Sequence, residues 1–291
     1  MKIKYIVKDN SRTINDILLN DLKMSNRLLN KLIRNKSIYV NNQICNTKNL
    51  ANYGDCINID FNYTEDNSNI KPCEMILDII YEDEWLLVIS KPSGIAIHPS
   101  LLHYDNSLSN GVKYYFDKIH LHKKIRPVNR LDTNTSGLVI FAKCEYVQEL
   151  LIKQMQNKTF IKEYLCIISG ILEEKSGTIN LPISRKENSI IERCVNKNGQ
   201  KSITHYTVLK EFKNYSLIKC ILETGRTHQI RVHFSYIGHP LLGDTLYGTP
   251  SQLINRQALH SYKIDFIHPI TNKKFCLTCD IPDDMKKLII E

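Results

Sequence analysis

The sequence predicts an α+β protein, with a mixed, largely antiparallel β-sheet in a larger domain and a small α/β module before it. The chain has 291 residues, about the length of two domains. Strand-like apolar runs outnumber helical ones, and they follow an irregular order without the alternating strand–helix units of a parallel sheet. We therefore expect a module over residues 1–62, a linker over 63–74 and a larger domain over 75–291.

The charge of the chain predicts a polyanionic partner, either nucleic acid or an anionic membrane surface. Lys and Arg total 39 against 30 Asp and Glu, a net charge of +9. Residues 1–60 hold ten of these bases and five of the acids, and so more than half of the net charge. No run approaches the roughly 18 apolar residues that would span a bilayer. Nine scattered cysteines predict reduced thiols in a cytoplasm rather than a disulfide framework.

The N-terminal module is predicted to begin with two helices, near 12–20 and 25–35, the second capped by Ser25. Four bases lie within an arc of about 80° on the second helix, opposite its leucines. They are Lys23, Arg27, Lys31 and Arg34. No acid lies between residues 22 and 54, so we favour a phosphate-contacting surface over an ordinary solvated face. A membrane-surface helix is the other alternative, although this helix lacks the aromatic residues typical of one.

Short strands near 37–42 and 56–59 complete the module, and its order of elements resembles the S4 RNA-binding domain. The matching positions are Arg27, Lys31 and Ile33, then Val40-Asn41 and Gly54-Asp55. Ser37 departs from the pattern, because that family often has glycine before the strand. The resemblance implies that the module binds RNA.

The larger domain is predicted to contain mainly strands, with two clear helices. The strand candidates are 75–81, 86–89, 138–142, 161–168, 203–209 and 215–222, and the helix candidates are 145–158 and 226–237. The polar stretch 184–201 interrupts them; it is either an RNA-facing loop or a plain surface hairpin. Cys276-x-x-Cys279 has no second pair to complete a zinc site, so we expect structural thiols there.

One polar loop precedes a buried strand and contains Arg130 and Asp132. A carboxylate fixed by an arginine can act as a nucleophile or a base. The commoner role of a loop aspartate is to cap a turn, and this segment alone favours that role. The loop holds no second acid, so the two-carboxylate site of a glycosidase is unsupported.

A second polar stretch, 224–233, holds Arg226, His228, Arg231 and His233. The two histidines are five residues apart without an intervening Glu, which does not match a zinc motif. Glycine and arginine at the entry to a helix are typical of anion binding. A solvated basic helix is the alternative, but the apolar residues interleaved with these side chains count against it.

Together these two stretches closely resemble the RluA-like RNA pseudouridine synthases, which modify ribosomal and transfer RNA uridines. The motifs are Arg130-Leu131-Asp132-x-x-Thr135-Ser136-Gly137 and Thr224-Gly225-Arg226-Thr227-His228-Gln229-Ile230-Arg231. Further matches are Lys91-Pro92-x-Gly94, Lys162-x-Tyr164 and Gly243-Asp244-x-Leu246-Tyr247-Gly248, and the similarity covers about 76–284. Asn129 departs from the pattern, since many members have histidine there.

The resemblance implies a role for each matching residue. Asp132 is the essential aspartate, Tyr164 stacks on the target base, and Arg226 pairs with the aspartate. Arg130 and His228 contact RNA beside the displaced base. The implied reaction breaks the N-glycosidic bond of uridine, turns the base and joins C5 to C1′, which needs no cofactor and no metal.

The expected protein is therefore a cytoplasmic, monomeric RNA pseudouridine synthase that acts on structured ribosomal or transfer RNA. A non-catalytic RNA-binding or ribosome-assembly protein on the same fold is the alternative. A nucleoside glycosidase is a weaker one, because a second carboxylate is missing.

Overall fold

The computed structural model describes residues 1–100 and 103–290; residue 291, the predicted end of the larger domain, lies outside the described residues. The N-terminal part contains β1 (Lys2–Ile6), β2 (Arg12–Thr13), α1 (Ile14–Asn20), α2 (Asn26–Arg34), β3 (Ile38–Val40), β4 (Gln43–Ile44), β5 (Leu50–Ala51) and β6 (Cys56–Asp60). The remainder contains β7 (Ile79–Glu82), β8 (Leu86–Lys91), α3 (Leu108–Lys118), β9 (Ser136–Ala142), α4 (Glu145–Gln156), β10 (Ile161–Ser169), β11 (Ser176–Asn180), β12 (Ile183–Arg185), β13 (Arg193–Val195), β14 (Ile203–Glu211), β15 (Tyr215–Leu222), α5 (Gln229–Tyr236), β16 (Leu259–Ile267), β17 (Lys274–Thr278) and α6 (Asp283–Ile289).

The large sheet confirms the predicted α+β class. Its strands lie in the order β11-β14-β15-β10-β16-β9-β8-β7, with β17 also on β16. The pairing of β16 with β9 is parallel, and the other neighbours in this sheet pair antiparallel. Among residues 1–100 and 103–290, no helix combines the length and the apolar character needed to cross a membrane.

The two N-terminal helices form close to their predicted ranges, α2 after the predicted Ser25 cap and α1 after Thr13, a cap that was not predicted. The Ser25 hydroxyl accepts the N–H of Leu28 at 3.1 Å, and the Thr13 hydroxyl accepts that of Asp16 at 3.1 Å. Each cap satisfies a backbone donor that has no partner inside its helix. A four-stranded sheet in the order β1-β6-β3-β4 accompanies the helices, as expected for a small α/β module.

Two predicted elements are shorter in the structure. The predicted strand 75–81 pairs only from Ile79, because Met75 and Leu77 pack beside Gly111 in the core around α3. The predicted helix 226–237 begins at Gln229, because His228 is left-handed, with φ 59°. Such a backbone cannot continue a right-handed helix, so the preceding residues form a loop.

Residues 63–74 contain no helix or strand, yet they are firmly attached to the larger domain. The Glu65 side chain is 2% exposed and accepts two hydrogen bonds of 2.7 Å from the Arg126 guanidinium. Next to it, the Phe61 ring stacks on Tyr146 at 5.6 Å and meets Trp85 edge-on at 6.2 Å. One hydrophobic core therefore continues from the N-terminal module into the larger domain.

The prediction that Lys31 belongs to a phosphate-binding stripe is wrong. Its ammonium group binds the carboxylates of Glu65 and Glu145, so its charge is already paired inside the protein. Both acids lie outside the acid-free window of 22–54, and for that reason the local sequence did not indicate them. Lys23 lies before α2 with a left-handed backbone (φ 56°), so it is not part of the helical stripe. Lys23, Arg27 and Arg34 are exposed to solvent, but only the two arginines lie on α2.

Candidate functional site

A cleft of about 1100 Å³ brings the main predicted site residues together. Its walls come from the loop before β9, the start of β10 and the loop between β15 and α5. The predicted residues that line it are Arg130, Asp132, Tyr164, Arg226 and His228. Segments almost 100 residues apart in the chain thus meet at one surface.

The parallel pairing of β9 with β16 positions the Asp132 loop. Gly137 has φ +113°, and a Cβ there would lie 2.3 Å from the carbonyl oxygen of Ser261. Only glycine permits so close an approach of two backbones in this conformation. Ser261 is in turn the register partner of Tyr164 on β10. One strand thereby separates the strand that follows Asp132 from the strand that contains Tyr164.

Lys91 holds the Asp132 loop from the protein interior. Its ammonium group is 1% exposed and donates to the carbonyl oxygens of Thr133, Pro92 and Ile95 at 2.8–2.9 Å. Burial lowers the Lys91 pKa to about 7. From the other side, Arg256 donates to the carbonyl of Asn134 at 3.2 Å. These contacts explain physically why a lysine in a proline–glycine turn accompanies the aspartate motif.

Asn129, the departure from the family pattern, has a structural role. Its amide donates to the carbonyl of Leu138 at 2.9 Å and accepts the N–H of Ile140 at 2.9 Å. The side chain is buried and joins the start of the loop to β9. An amide at this position therefore supports the loop through the backbone of the neighbouring strand.

The two carboxylate oxygens of Asp132 have different surroundings. Oδ2 accepts a hydrogen bond of 3.1 Å from Nη1 of Arg231, and Nε2 of His228 lies 3.8 Å away. Oδ1 has no hydrogen-bond donor among the described residues. The side chain is 24% exposed, so one oxygen is held while the other faces the cleft.

The pairing of Arg226 with Asp132 that the resemblance implies is wrong. Arg226 lies in the loop before α5, is exposed, and donates from Nε to the carbonyl of Lys201 at 3.2 Å. Arg231 lies in the first turn of the helix, is 6% exposed and reaches the carboxylate. Both arginines belong to one short polar stretch, and the exact start of the helix decides which of them points inward.

Arg231 is held by Asp244 and Tyr247, two residues of the Gly243–Gly248 motif to which the sequence assigned no role. Asp244 accepts Nε at 2.7 Å and Nη2 at 2.9 Å, a two-pronged pairing that fixes the plane of the guanidinium. The ring of Tyr247 lies 5.0 Å from the guanidinium carbon. The Asp244 side chain is fully buried. In the sequence, the available signal was its place in the motif Gly243-Asp244-x-Leu246.

Tyr164 and Lys162 both lie at the start of β10 and line the cleft. Tyr164 is 5% exposed, and burial raises its pKa. The β10–β16 register shifts between Glu163 and Tyr164, an irregularity that can re-aim a side chain towards a site. Burial lowers the pKa of Lys162, whose amino group has no hydrogen-bond partner among the described residues.

A second cavity of about 410 Å³ adjoins the cleft, beneath the hairpin of β12 and β13. Of the residues that the structure describes, four arginines and no carboxylate line it. They are Arg130, Arg185, Arg193 and Arg226. The predicted polar segment 184–201 therefore faces the same basic surface as two arginines of the predicted site.

Comparison with known proteins places this site in a family context. The profile of the RNA pseudouridylate synthase family matches residues 85–236, which include both polar stretches. An uncharacterised RNA pseudouridine synthase of Bacillus subtilis, YhcT, is 38% identical over 97% of this chain and 93% of its own length. The ribosomal large subunit pseudouridine synthase D of Blochmanniella floridana is 34% identical over 88% of this chain and 87% of its own.

A solved structure has a similar fold. Human RNA pseudouridylate synthase domain containing 1 superposes with a TM-score of 0.60 and 25% identity. The superposition covers 72% of this chain and 86% of the human one. The similarity in fold thus extends well beyond the two motifs.

Proposed function

The chain belongs to the RNA pseudouridylate synthase family, and we propose that it isomerises a uridine of ribosomal or transfer RNA with Asp132 as the reacting group. The relatives named for the large ribosomal subunit favour ribosomal RNA as the substrate. The arrangement of Asp132 is the observation that carries the proposal. One oxygen is bound to Arg231, and the other faces a cleft with no competing donor in the described part of the chain.

Isomerisation requires the bond between N1 and C1′ to break, the base to turn, and C5 to bond to C1′. C5 then loses its proton and N1 gains one, so the product is an isomer of the substrate with no redox change. Asp132 can serve as a nucleophile at the sugar or as a base that removes a sugar proton. Both roles need a carboxylate that is aimed and only partly bonded, because a fully bonded oxygen has no lone pair to offer. The hydrogen bond from Arg231 to Oδ2 orients the carboxylate, and Oδ1 faces the cleft.

The target uridine must leave its stack to reach Asp132, which costs a few kcal/mol. We propose that Tyr164 stacks on the displaced base and recovers part of that cost, since stacking on an aromatic ring contributes about 1–3 kcal/mol per base. Lys162 lines the same cleft, and its amino group has no hydrogen-bond partner in the described part of the chain, which suits contact with a nearby phosphate or base oxygen.

We propose that the flanking RNA backbone lies over the cavity lined by four arginines. Arg130 and Arg226 lie at the border between this cavity and the cleft, so both can contact phosphates beside the displaced uridine. The hairpin over 184–201 contributes Arg185 and Arg193. Arginine is well suited to this role because its planar group binds phosphate through two parallel hydrogen bonds.

We further propose that residues 1–62 form an S4-like module that grips RNA non-specifically. Lys23, Arg27 and Arg34 are exposed and supply the charge, whereas Lys31 attaches the module to the larger domain. An enzyme with ribosomal or transfer RNA as its substrate meets that RNA in the cytoplasm, and we expect it to act there as a monomer. No specific observation favours the non-catalytic alternative.

The test is conversion of uridine in bulk ribosomal and transfer RNA, detected by chemical labelling of pseudouridine. The wild-type protein should form pseudouridine at one or a few positions, and Asp132→Asn should form none while it still binds the RNA. A matched control is Asp105→Asn, an exposed carboxylate outside the cleft that should keep full activity. Full activity of Asp132→Asn would overturn the assignment of Asp132.

A further inference from the structure

The residues behind Arg231 and His228 form a continuous hydrogen-bonded unit. Asp244 Oδ1 accepts the backbone N–H groups of Leu246 and Tyr247 at 3.0 and 3.1 Å, in addition to its two bonds from Arg231. The tight turn from 244 to 247 is thereby folded around the same carboxylate that orients the guanidinium. The position of the Tyr247 ring and that of Arg231 thus depend on one buried side chain.

The hydroxyl of Tyr247 joins two further parts of the site. It accepts the backbone N–H of Arg193 on β13 at 2.8 Å, and it lies 2.8 Å from Nδ1 of His228. A phenol has a single proton. Since the Arg193 N–H already donates to the oxygen, that proton is free to go to Nδ1.

If the Tyr247 hydroxyl donates to Nδ1, the hydrogen of the imidazole lies on Nε2. Burial lowers the pKa of His228 and raises that of Tyr247, so both groups are held in their neutral forms. A neutral imidazole that accepts at Nδ1 carries its hydrogen on Nε2. Nε2 is the nitrogen that faces Asp132, at 3.8 Å, a separation longer than a hydrogen bond. Its N–H is then available to a bound nucleotide or to Asp132.

The backbone of His228 places the imidazole beside Asp132. His228 has a left-handed conformation, with φ 59°, directly before the first residue of α5. Its imidazole lines the cleft, and Nε2 lies 3.8 Å from Oδ2 of Asp132.

We propose that Asp244 and Tyr247 act as one positioning unit that orients both donors facing Asp132 and connects them to the β12–β13 hairpin. Asp244 orients the Arg231 guanidinium, and Tyr247 fixes the Nε2–H form of His228. The Tyr247 hydroxyl also accepts the backbone N–H of Arg193 on β13. A shift of the β12–β13 hairpin, which we propose contacts RNA, would therefore move the Tyr247 hydroxyl and, with it, His228. The inference rests on the proposed function for its effect on rate.

The test is Tyr247→Phe, which keeps the ring over Arg231 and removes only the hydroxyl. We expect the single-turnover rate of pseudouridine formation to fall about tenfold, the size of one lost buried hydrogen bond, with RNA affinity within about twofold of wild type. Nitrogen-15 spectra of the histidine rings should change from the Nε2–H form to a mixture at His228. Amide hydrogen exchange at Arg193 should become faster.

Two further variants complete the test. Tyr236→Phe removes a hydroxyl from an exposed tyrosine at the end of α5 and should change none of these readouts. Asp244→Asn should lower the rate about a hundredfold at unchanged RNA affinity, a split that a folding defect would not produce. If it does not fold, Tyr247→Phe alone decides. A wild-type rate, an unchanged His228 tautomer or an unchanged Arg193 exchange in Tyr247→Phe would overturn the proposal. The spectra and the exchange need no turnover, so they remain valid even if the wild-type protein forms no pseudouridine.

Discussion

Asp132 and Glu65 are both carboxylates bound to arginine inside the protein, and their differences separate the proposed reacting group from a structural one. Glu65 is 2% exposed, and both of its oxygens are bonded by Arg126, with Lys31 in addition. Asp132 is 24% exposed, and among the described residues only its Oδ2 has a hydrogen-bond donor. Burial and pairing alone thus do not indicate chemistry. An unoccupied lone pair that faces a cleft does.

The largest expected effect comes from Asp132→Asn, which removes the charge and keeps the shape. We expect pseudouridine formation to fall by at least about a thousandfold, because the group that must react is lost. Unfolding temperature and RNA affinity should stay near those of wild type, since only one hydrogen bond to Arg231 is weakened. Single-turnover kinetics and filter binding on one RNA measure both quantities; a modest loss of rate would contradict the comparison.

Glu65→Ala should lower the stability of the protein and leave its catalytic activity intact. It removes both Glu65 oxygens from the Arg126 guanidinium and leaves that group a longer ion pair with Glu145, at 3.3 Å. Breaking a buried pair lowers the free energy of unfolding by about 3–5 kcal/mol, and the remaining contact with Glu145 places the expected loss at the lower end of that range. Denaturant unfolding measures this loss, and activity at low temperature should remain. A stable Glu65→Ala protein with impaired catalysis would invert our reading of the two carboxylates.

Arg231→Lys tests the aim of Asp132 without removing the positive charge. A lysine cannot bind Asp244 through two parallel bonds and still reach Asp132, so we expect the rate to fall about a hundredfold. Arg226→Lys is the matched change in the arginine that does not contact Asp132. It should weaken RNA binding slightly and leave the rate on bound RNA unchanged. Equal losses of rate in the two variants would contradict the assignment of Arg231.

The pH dependence of stability distinguishes the structural carboxylate. Burial raises the Glu65 pKa, but the bonds from Arg126 and Lys31 outweigh it and lower that pKa to about 2, from an ordinary value of 4.5. A lowered pKa means that Glu65 stabilises the protein fully above about pH 4.5 and that this stability is lost as the pH falls towards 2. Thermal unfolding of wild type and Glu65→Gln should converge over this range. Parallel curves would show that Glu65 does not titrate as expected.

The smallest effect concerns the basic helix α2. Arg27→Gln should reduce the slope of log affinity against log salt by about 0.7–0.9, the contribution of one phosphate contact. Lys31→Gln should leave that slope unchanged and lower the unfolding temperature, because its ammonium group binds Glu65 and Glu145. An equal change of slope in both variants would return Lys31 to the RNA-binding surface.

The sequence predicted what depends on neighbours in the chain. Ser25 caps α2 because the capping bond spans three residues, and six strands of the large sheet lie at predicted apolar runs: β7, β8, β9, β10, β14 and β15. The strands β11 and β16 were not predicted. The errors concern partners far apart in sequence. Lys31 meets Glu145 across 114 residues, and Arg231 meets Asp132 across 99. Local periodicity contains no information about such pairs.

The choice between Arg226 and Arg231 shows the same limit at close range. Both lie in one polar stretch, and the left-handed backbone of His228 between them decides where the helix begins. A non-glycine residue seldom adopts that conformation, so no propensity rule would place it there. Tyr247 and Asp244 were recognisable only as parts of a motif, because their role appears when the turn folds against α5.

The shared core at Phe61 also fixes a distance. Phe61, Trp85 and Tyr146 join the module to the larger domain, and α4 extends from the residues that bind α2 to the wall of the cleft. A module held this way would keep its basic residues at a constant separation from Asp132. Any RNA segment that contacts those basic residues would then lie at one fixed distance from Asp132.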